Sequence, residues 1–145
     1  MHKMIFVNLP VADLTRSRAF FESMGYSFND KFCDGDALAL ELGDTIVAML
    51  LERGFYKTFI HDREVADPRA VSGAIICLSA ESREGVDEIV DKAMAAGATA
   101  GDTEEHGFMY GRSYYDLDGH AWEITWMDPA AVEVGPAEYA SQNQN

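Results

Sequence analysis

One pattern is written twice along this chain, and a repeated β-α-β-β-β order is what most limits how it can fold. In the first pass, residues 5–9 form a short run of β-branched and aromatic side chains stopped by Pro10. Asp13 and Thr15 offer helix caps, and Leu14, Ser17, Phe21 and Met24 then fall along one helical stripe with Phe20 beside it. Gly25 supplies the left-handed residue that ends such a helix. Residues 26–32, 37–42 and 45–51 read as three strands, separated by Asp34-Gly35-Asp36 and by Gly43-Asp44.

The second pass begins with the apolar run 73–78. Ser82 caps a helix whose Val86, Ile89, Val90 and Ala93 share one face, and Gly97 closes it as Gly25 closes the first. Strands over 98–102, 109–115 and 121–127 complete the pass, with Asp116-Leu117-Asp118-Gly119 as the last turn. The expectation is an α+β fold of two tandem modules in one domain. Module one covers about 4–52, a linker about 53–71, module two about 72–128 and a tail 129–145. The linker reads as too polar and irregular for a core element, and the tail as a short helical turn followed by a frayed 141–145.

Composition removes several function classes. No apolar run approaches the roughly 20 residues that span a bilayer, and the N-terminus lacks the long apolar stretch of a secretory signal, so a cytoplasmic protein is expected. A net charge of −14 with scattered Lys and Arg repels nucleic acid, whereas it could draw a cationic ligand or merely solvate the surface. Cys33 and Cys77 lie in apolar runs without metal spacing and read as buried free thiols. Phosphate-binding loops, nucleophile elbows, His-Glu-x-x-His helices and Cys-x-x-Cys pairs are absent from the sequence.

The stretch Leu9-Pro10-Val11-Ala12-Asp13-Leu14, with Ala19-Phe20-Phe21 and Met24-Gly25-Tyr26, pairs with a later Asp116-Leu117-Asp118-Gly119-His120-Ala121-Trp122-Glu123. Together with the two modules, these segments resemble the vicinal oxygen chelate superfamily of glyoxalases, bleomycin-resistance proteins and extradiol dioxygenases. His106-Gly107-Phe108-Met109-Tyr110-Gly111-Arg112-Ser113, with Trp126-Met127-Asp128, is similar to a bacterial glyoxalase-like branch labelled predicted lactoylglutathione lyase. The resemblance covers nearly everything before the tail and departs at Leu117, where the family's turn usually carries proline.

That resemblance implies a half-open sheet around a small-molecule cleft and four places for metal ligands, on the first and last strand of each module. They fall on Phe6, on Ile75 or Ala74, on Met49 or its neighbours Val47, Ala48 and Leu50, and on Glu123. One carboxylate cannot supply the three or more donors that a zinc or hard-cation site needs, so no metal cofactor is expected. The family also implies a homodimer.

Strand alternation puts Trp122, Ile124 and Trp126 on one face and Ala121, Glu123 and Thr125 on the other, which the resemblance assigns to the cleft. Glu123 is then a base or ligand anchor, or a carboxylate in a wet groove or an ion pair. His106 falls on a loop at the cleft mouth, where it could shuttle protons or be merely solvated. Tyr110, Arg112 and Tyr114 share one strand face, so Arg112 could clamp an anion, with the phenols donating, or pair with Glu123 or Asp116. Lys57, within Phe55-Tyr56-Lys57-Thr58-Phe59, sits in an aromatic segment that reads either as a lid or as a docked loop. His61-Asp62 is weak evidence for a site. Phe6 and Met49 join Tyr110, Arg112, Tyr114 and Lys57 as ligand-binding candidates, with Glu123 and His106 as the catalytic ones.

The functional expectation is a glyoxalase/bleomycin-resistance-like protein that binds a small molecule, or moves its protons, without metal. A metal-dependent lactoylglutathione lyase and a structural or protein-interaction module are the alternatives. The sequence identifies neither ligand nor pathway.

Overall fold

A computed structural model describes residues 1–143; Gln144 and Asn145, part of the tail expected to fray, lie outside the described residues. The chain divides into two compact units. The first is Met1–Gly73 with Leu117–Gly119, and the second is Ala74–Asp116 with the residues from His120 onward.

The first unit runs β1 (Ile5–Val11), α1 (Leu14–Ser23), β2 (Ser27–Phe28), β3 (Ala37–Gly43), β4 (Ile46–Glu52) and α2 (Arg53–Ile60). Its sheet has the order β1-β4-β3-β2, with β1 parallel to β4 and the other pairs antiparallel. The second unit runs β5 (Ile75–Ser79), α3 (Arg83–Ala95), β6 (Thr99–Glu105), β7 (Met109–Tyr115), β8 (Ala121–Met127), α4 (Pro129–Val134) and α5 (Pro136–Gln142). Its sheet repeats the arrangement as β5-β8-β7-β6, again with the first strand parallel to the last.

The caps follow the sequence closely. The Asp13 side chain accepts from the Arg16 N–H at 3.0 Å to start α1, and Ser82 accepts from Gly85 at 2.9 Å to start α3. Gly25 and Gly97 follow the two helices at φ of 96° and 110°, where an L side chain would be strained. At the last turn Asp116 is buried, and its carboxylate accepts from the His120 N–H at 3.0 Å and from Trp122 Nε1 at 2.9 Å. Losing the proline at Leu117 therefore leaves the turn's hydrogen bonds intact.

In the second unit, α3 packs against β7 and β8. It buries Val86, Val90 and Ala93, while Tyr114, Trp122 and Ile124 of the sheet are buried to within 1% of completely. Each such side chain contributes on the order of 1.5–3 kcal/mol, so this face of the sheet is fixed by packing. In the first unit, α1 lies against β3 and β4, and Leu9, Val11, Leu38, Leu40, Ala48 and Leu50 form a buried row on one face.

Several sequence expectations are corrected. Pro10 lies inside β1, which continues to Val11; β1 is at the edge of its sheet, where a residue without an N–H is tolerated. The strand expected over 26–32 is only Ser27–Phe28, because Asn29 caps a 3₁₀ turn over Asp30–Phe32 by accepting from the Lys31 N–H. The linker contains a helix, α2, whose first turn is capped by Glu52 accepting from Phe55 at 3.0 Å. The two N–H groups of Gly54 and Phe55 hold the Glu52 carboxyl below its ordinary range. The tail forms two helices, each opened by a proline at its start. Neither cysteine is buried: Cys33 is half-buried and Cys77 exposed. No described helix is long and apolar enough to cross a membrane.

Candidate functional site

The face of the second sheet opposite α3 is a groove with a cavity of about 360 Å³. Period-two alternation builds it. Glu123, Thr125 and Met127 enter it from β8; Met109, Gly111 and Ser113 line it from β7; Cys77 comes from β5, and Asp102 and Glu104 from β6. The ladder aligns these residues in rows. Cys77 pairs with Glu123 and Glu123 with Ser113; Thr125 pairs with Gly111 and Met109 with Met127. The wall thus holds three carboxylates, two thioethers and one thiol.

A bulge shapes the β6 side. The β6–β7 register shifts between Ala100 and Thr103, so Gly101 and Asp102 together oppose Ser113. Ser113 Oγ accepts from the Asp102 N–H at 2.8 Å and donates to the Asp102 carbonyl at 3.3 Å. A Cβ on Gly101 would lie 2.2 Å from Ser113 Oγ, so the close strand approach depends on glycine at this position.

Glu123 is half-buried in the groove, and among the described residues its carboxylate has no hydrogen-bond or ion-pair partner. The ion pair with Arg112 that the sequence left open is not formed. Arg112 borders the groove, but its Nη1 donates to Asp87 Oδ1 and Asp91 Oδ1 of α3, each at 2.9 Å. Burial works against the charge on Arg112; Asp91 and Asp87 outweigh it and keep the guanidinium firmly protonated. Tyr110 also faces α3 and donates to Asp87 Oδ1 at 2.7 Å. Tyr110 and Arg112 hold the Asp87 carboxyl below its ordinary range, and the same contact pushes the Tyr110 phenol up. Tyr114 is in the core, stacked on Trp122 with ring centroids 6.5 Å apart. The strand face shared by Tyr110, Arg112 and Tyr114 is therefore the helix side.

His106 is in the β6–β7 turn, where its N–H donates to the Met109 carbonyl at 2.9 Å. Its ring stacks on Phe108, and Nε2 is 3.6 Å from Glu104 Oε2. Arg83 pins this end of the groove: it forms an ion pair with Glu105, donates to the Gly107 carbonyl at 2.8 Å and sits 5.0 Å over the Trp126 ring. Glu105 is held below its ordinary range first by Arg83 and then by the Gly107 N–H.

The remaining candidates are in the first unit. Phe6 and Met49 share one face of its sheet through the pairs Phe6–Val47 and Asn8–Met49, with Phe6 exposed and Met49 half-buried. Lys57 is on α2 and donates to the Arg63 carbonyl, and Phe55 and Phe59 form an edge-to-face pair on the same helix. Sequence reasoning passed over Cys77, Asp102, Glu104, Met109, Ser113 and Met127. For Met127 the signal was present, because it falls in phase with Glu123 on β8, whereas Cys77 joins them only through the β5–β8 register.

A family model described as "Bleomycin resistance protein-like N-terminal" matches residues 3–43. No curated protein matches. Among solved structures, a hypothetical protein from S. aureus superposes with a TM-score of 0.72 at 23% identity, covering 87% of this chain and 94% of that one. A glyoxalase/bleomycin resistance protein/dioxygenase family enzyme from Burkholderia phytofirmans PsJN gives 0.72 at 18% identity, covering 84% and 96%. The chain has the vicinal-oxygen-chelate fold. A lactoylglutathione lyase from Agrobacterium tumefaciens shares that fold with a TM-score of 0.63 at 17% identity, covering 85% and 92%.

Vicinal-oxygen-chelate enzymes that use a metal take its ligands from the first and last strand of each module. Here those strands offer Phe6 on β1, Met49 on β4, Ile75 on β5 and Glu123 on β8. Neither pair, Phe6 with Met49 in the first unit or Ile75 with Glu123 in the second, supplies the three donors of a tight divalent site. Among the described residues, no group of three or more His, Cys, Asp or Glu side chains is placed to hold a metal ion.

Proposed function

We propose that this vicinal-oxygen-chelate domain binds a small organic cation in the groove of its second unit without a metal, using Glu123 as ligand anchor and proton acceptor. The observation that carries this reading is the half-buried Glu123 carboxylate, which lacks a partner among the described residues. A carboxylate in that setting is stabilised by an incoming cation. Asp102 and Glu104 add negative charge to the same wall, and the charge of Arg112 is committed to Asp87 and Asp91. Met109 and Met127 supply adaptable apolar surface for the rest of the ligand. In this reading His106, beside Glu104, exchanges protons with solvent.

The protein acts as a homodimer in this reading. Phe6 and Ile75, on the edge strands β1 and β5, are each more than half exposed, and a second copy would cover such surface. Light scattering then gives roughly twice the 16.0 kDa chain mass, whereas a monomer at micromolar concentration refutes the dimer.

Calorimetric titration with metal-free bleomycin and with a simple alkylammonium salt tests the ligand class. Binding that weakens at least tenfold in Glu123→Gln, and with rising salt, supports the reading. Failure of cations to bind, or affinity unchanged in Glu123→Gln, overturns it.

A further inference from the structure

A second, smaller cavity of about 130 Å³ opens at the start of α1, and all the residues that line it belong to the first unit. Three segments meet there. Asp13 caps the helix by accepting from the Arg16 N–H, and Arg16 and Ser17 follow in the first turn. The turn over Leu117–Gly119 brings Asp118, whose Oδ1 accepts from the Ala12 N–H at 2.8 Å. Arg69 arrives from the linker and donates to the Leu117 carbonyl. Gly119, at φ 96°, permits that approach, because a Cβ there would lie 2.8 Å from Arg69 Cγ and 3.1 Å from Arg69 N. Ser17 is only 3% exposed, and among the described residues its hydroxyl has no hydrogen-bond partner. A buried hydroxyl without a bond is unfavourable, and a polar atom seated in the cavity would satisfy it. Among the described residues, Arg16 and Arg69 are also not ion-paired with Asp13 or Asp118, although all four line the same small space.

We infer that this cavity binds a small zwitterion of the α-amino-acid class, its carboxylate held by Arg16, Arg69 and the Ser17 hydroxyl and its ammonium by Asp13 and Asp118. The charges of the lining select the class. Two guanidiniums and two carboxylates sum to no net charge, so a simple anion is opposed by one pair and a simple cation by the other. A molecule that carries both charges on neighbouring atoms engages both pairs. The planar guanidinium fork matches a ligand carboxylate, and the start of α1 adds partial positive charge on the same side as Arg16 and Ser17. Asp13 and Asp118 each accept a backbone N–H, which fixes their carboxylates in the wall. The space admits an ammonium, one carbon and a carboxylate, whereas a long side chain would project to solvent. Glu123 has no part in this site.

Calorimetric titration with L-alanine, propionate and L-alaninamide tests the site. L-alanine is expected to bind as one equivalent, about tenfold or more tighter than either analogue, because each analogue keeps only one of the two charges. The three probes are compared in Glu123→Gln protein, where the proposed anchor for cations in the second unit is gone, and L-alanine affinity there should stay within about twofold of the unchanged chain. Arg16→Gln should weaken L-alanine about tenfold, and Ser17→Ala about three- to tenfold. Ser17→Ala removes no hydrogen bond from the free protein, so its Tm should not fall, which separates lost binding from a damaged fold. A clearly lowered Tm in Ser17→Ala would show that the hydroxyl is already bonded and would overturn the assignment. So would propionate binding as tightly as L-alanine, L-alanine binding that ignores Arg16 and Ser17, or the absence of saturable L-alanine binding. Alkylammonium binding that fails while L-alanine still binds through Arg16 and Ser17 sinks only the reading of the second unit's groove.

Discussion

Arg112 of β7 donates to Asp87 of α3 at 2.9 Å, so this groove-lining arginine has its charge turned toward the helix on the opposite face of the sheet. The contact ties α3 to the sheet and leaves the groove acidic. Arg112→Ala is expected to lower unfolding stability by about 1 kcal/mol in urea titrations, the scale of a partly exposed charged hydrogen bond. Groove affinity for an alkylammonium probe should remain within twofold. A large loss of affinity without loss of stability would instead support the ligand-binding role expected of Arg112 from the sequence.

Acid should loosen the second unit through Asp87 and Glu105. Both carboxyls lose their protons more readily in the folded state than unfolded, Asp87 through Tyr110 and Arg112, and Glu105 through Arg83 and the Gly107 N–H. Their contribution is complete above the ordinary carboxylate range and disappears as pH falls through the lower folded values. Tm should therefore hold steady down to about pH 5 and fall below roughly pH 4. Asp87→Asn, which cannot titrate, should show a shallower fall. Parallel curves for the two proteins would contradict this assignment.

Gly101→Ala places a methyl 2.2 Å from Ser113 Oγ and 3.2 Å from the Ser113 carbonyl carbon, so the bulge must open. Overpacking of this kind costs about 1–3 kcal/mol. Because the clash is with the Ser113 side chain, the double variant Gly101→Ala, Ser113→Ala should be less destabilised than the sum of the single changes. Simple additivity in thermal unfolding would show that the strands do not meet closely here.

Metal loading checks the donor set directly. Protein exposed to nickel, zinc, manganese or iron and then desalted should retain no stoichiometric ion, and should not isomerise the methylglyoxal–glutathione hemithioacetal. One equivalent of metal by elemental analysis, with isomerase activity abolished by a chelator, would instead establish a metal-dependent lyase.

The sequence by itself determined the repeated module order, the helix caps at Asp13 and Ser82, and the side of β8 that carries Glu123. These are local properties: a cap needs only its first turn, and Trp122 and Ile124 leave Glu123 no other face. The orientation of β7 was not legible in this way. Its alternation separates Tyr110, Arg112 and Tyr114 from Gly111 and Ser113, but both sets are polar enough to line a groove, and only Asp87 and Asp91 on α3 decide between them. The helix α2 was hidden because Gly54 and the aromatics Phe55, Tyr56 and Phe59 are poor helix formers in isolation, whereas Glu52 caps its first turn and β1 and β4 lie against it. The placing of Cys77 beside Glu123 and the β6 bulge that brings Asp102 to the groove were likewise tertiary decisions. They depend on register between strands far apart in the chain, and register is set by packing and cross-strand hydrogen bonds rather than by any one strand's sequence.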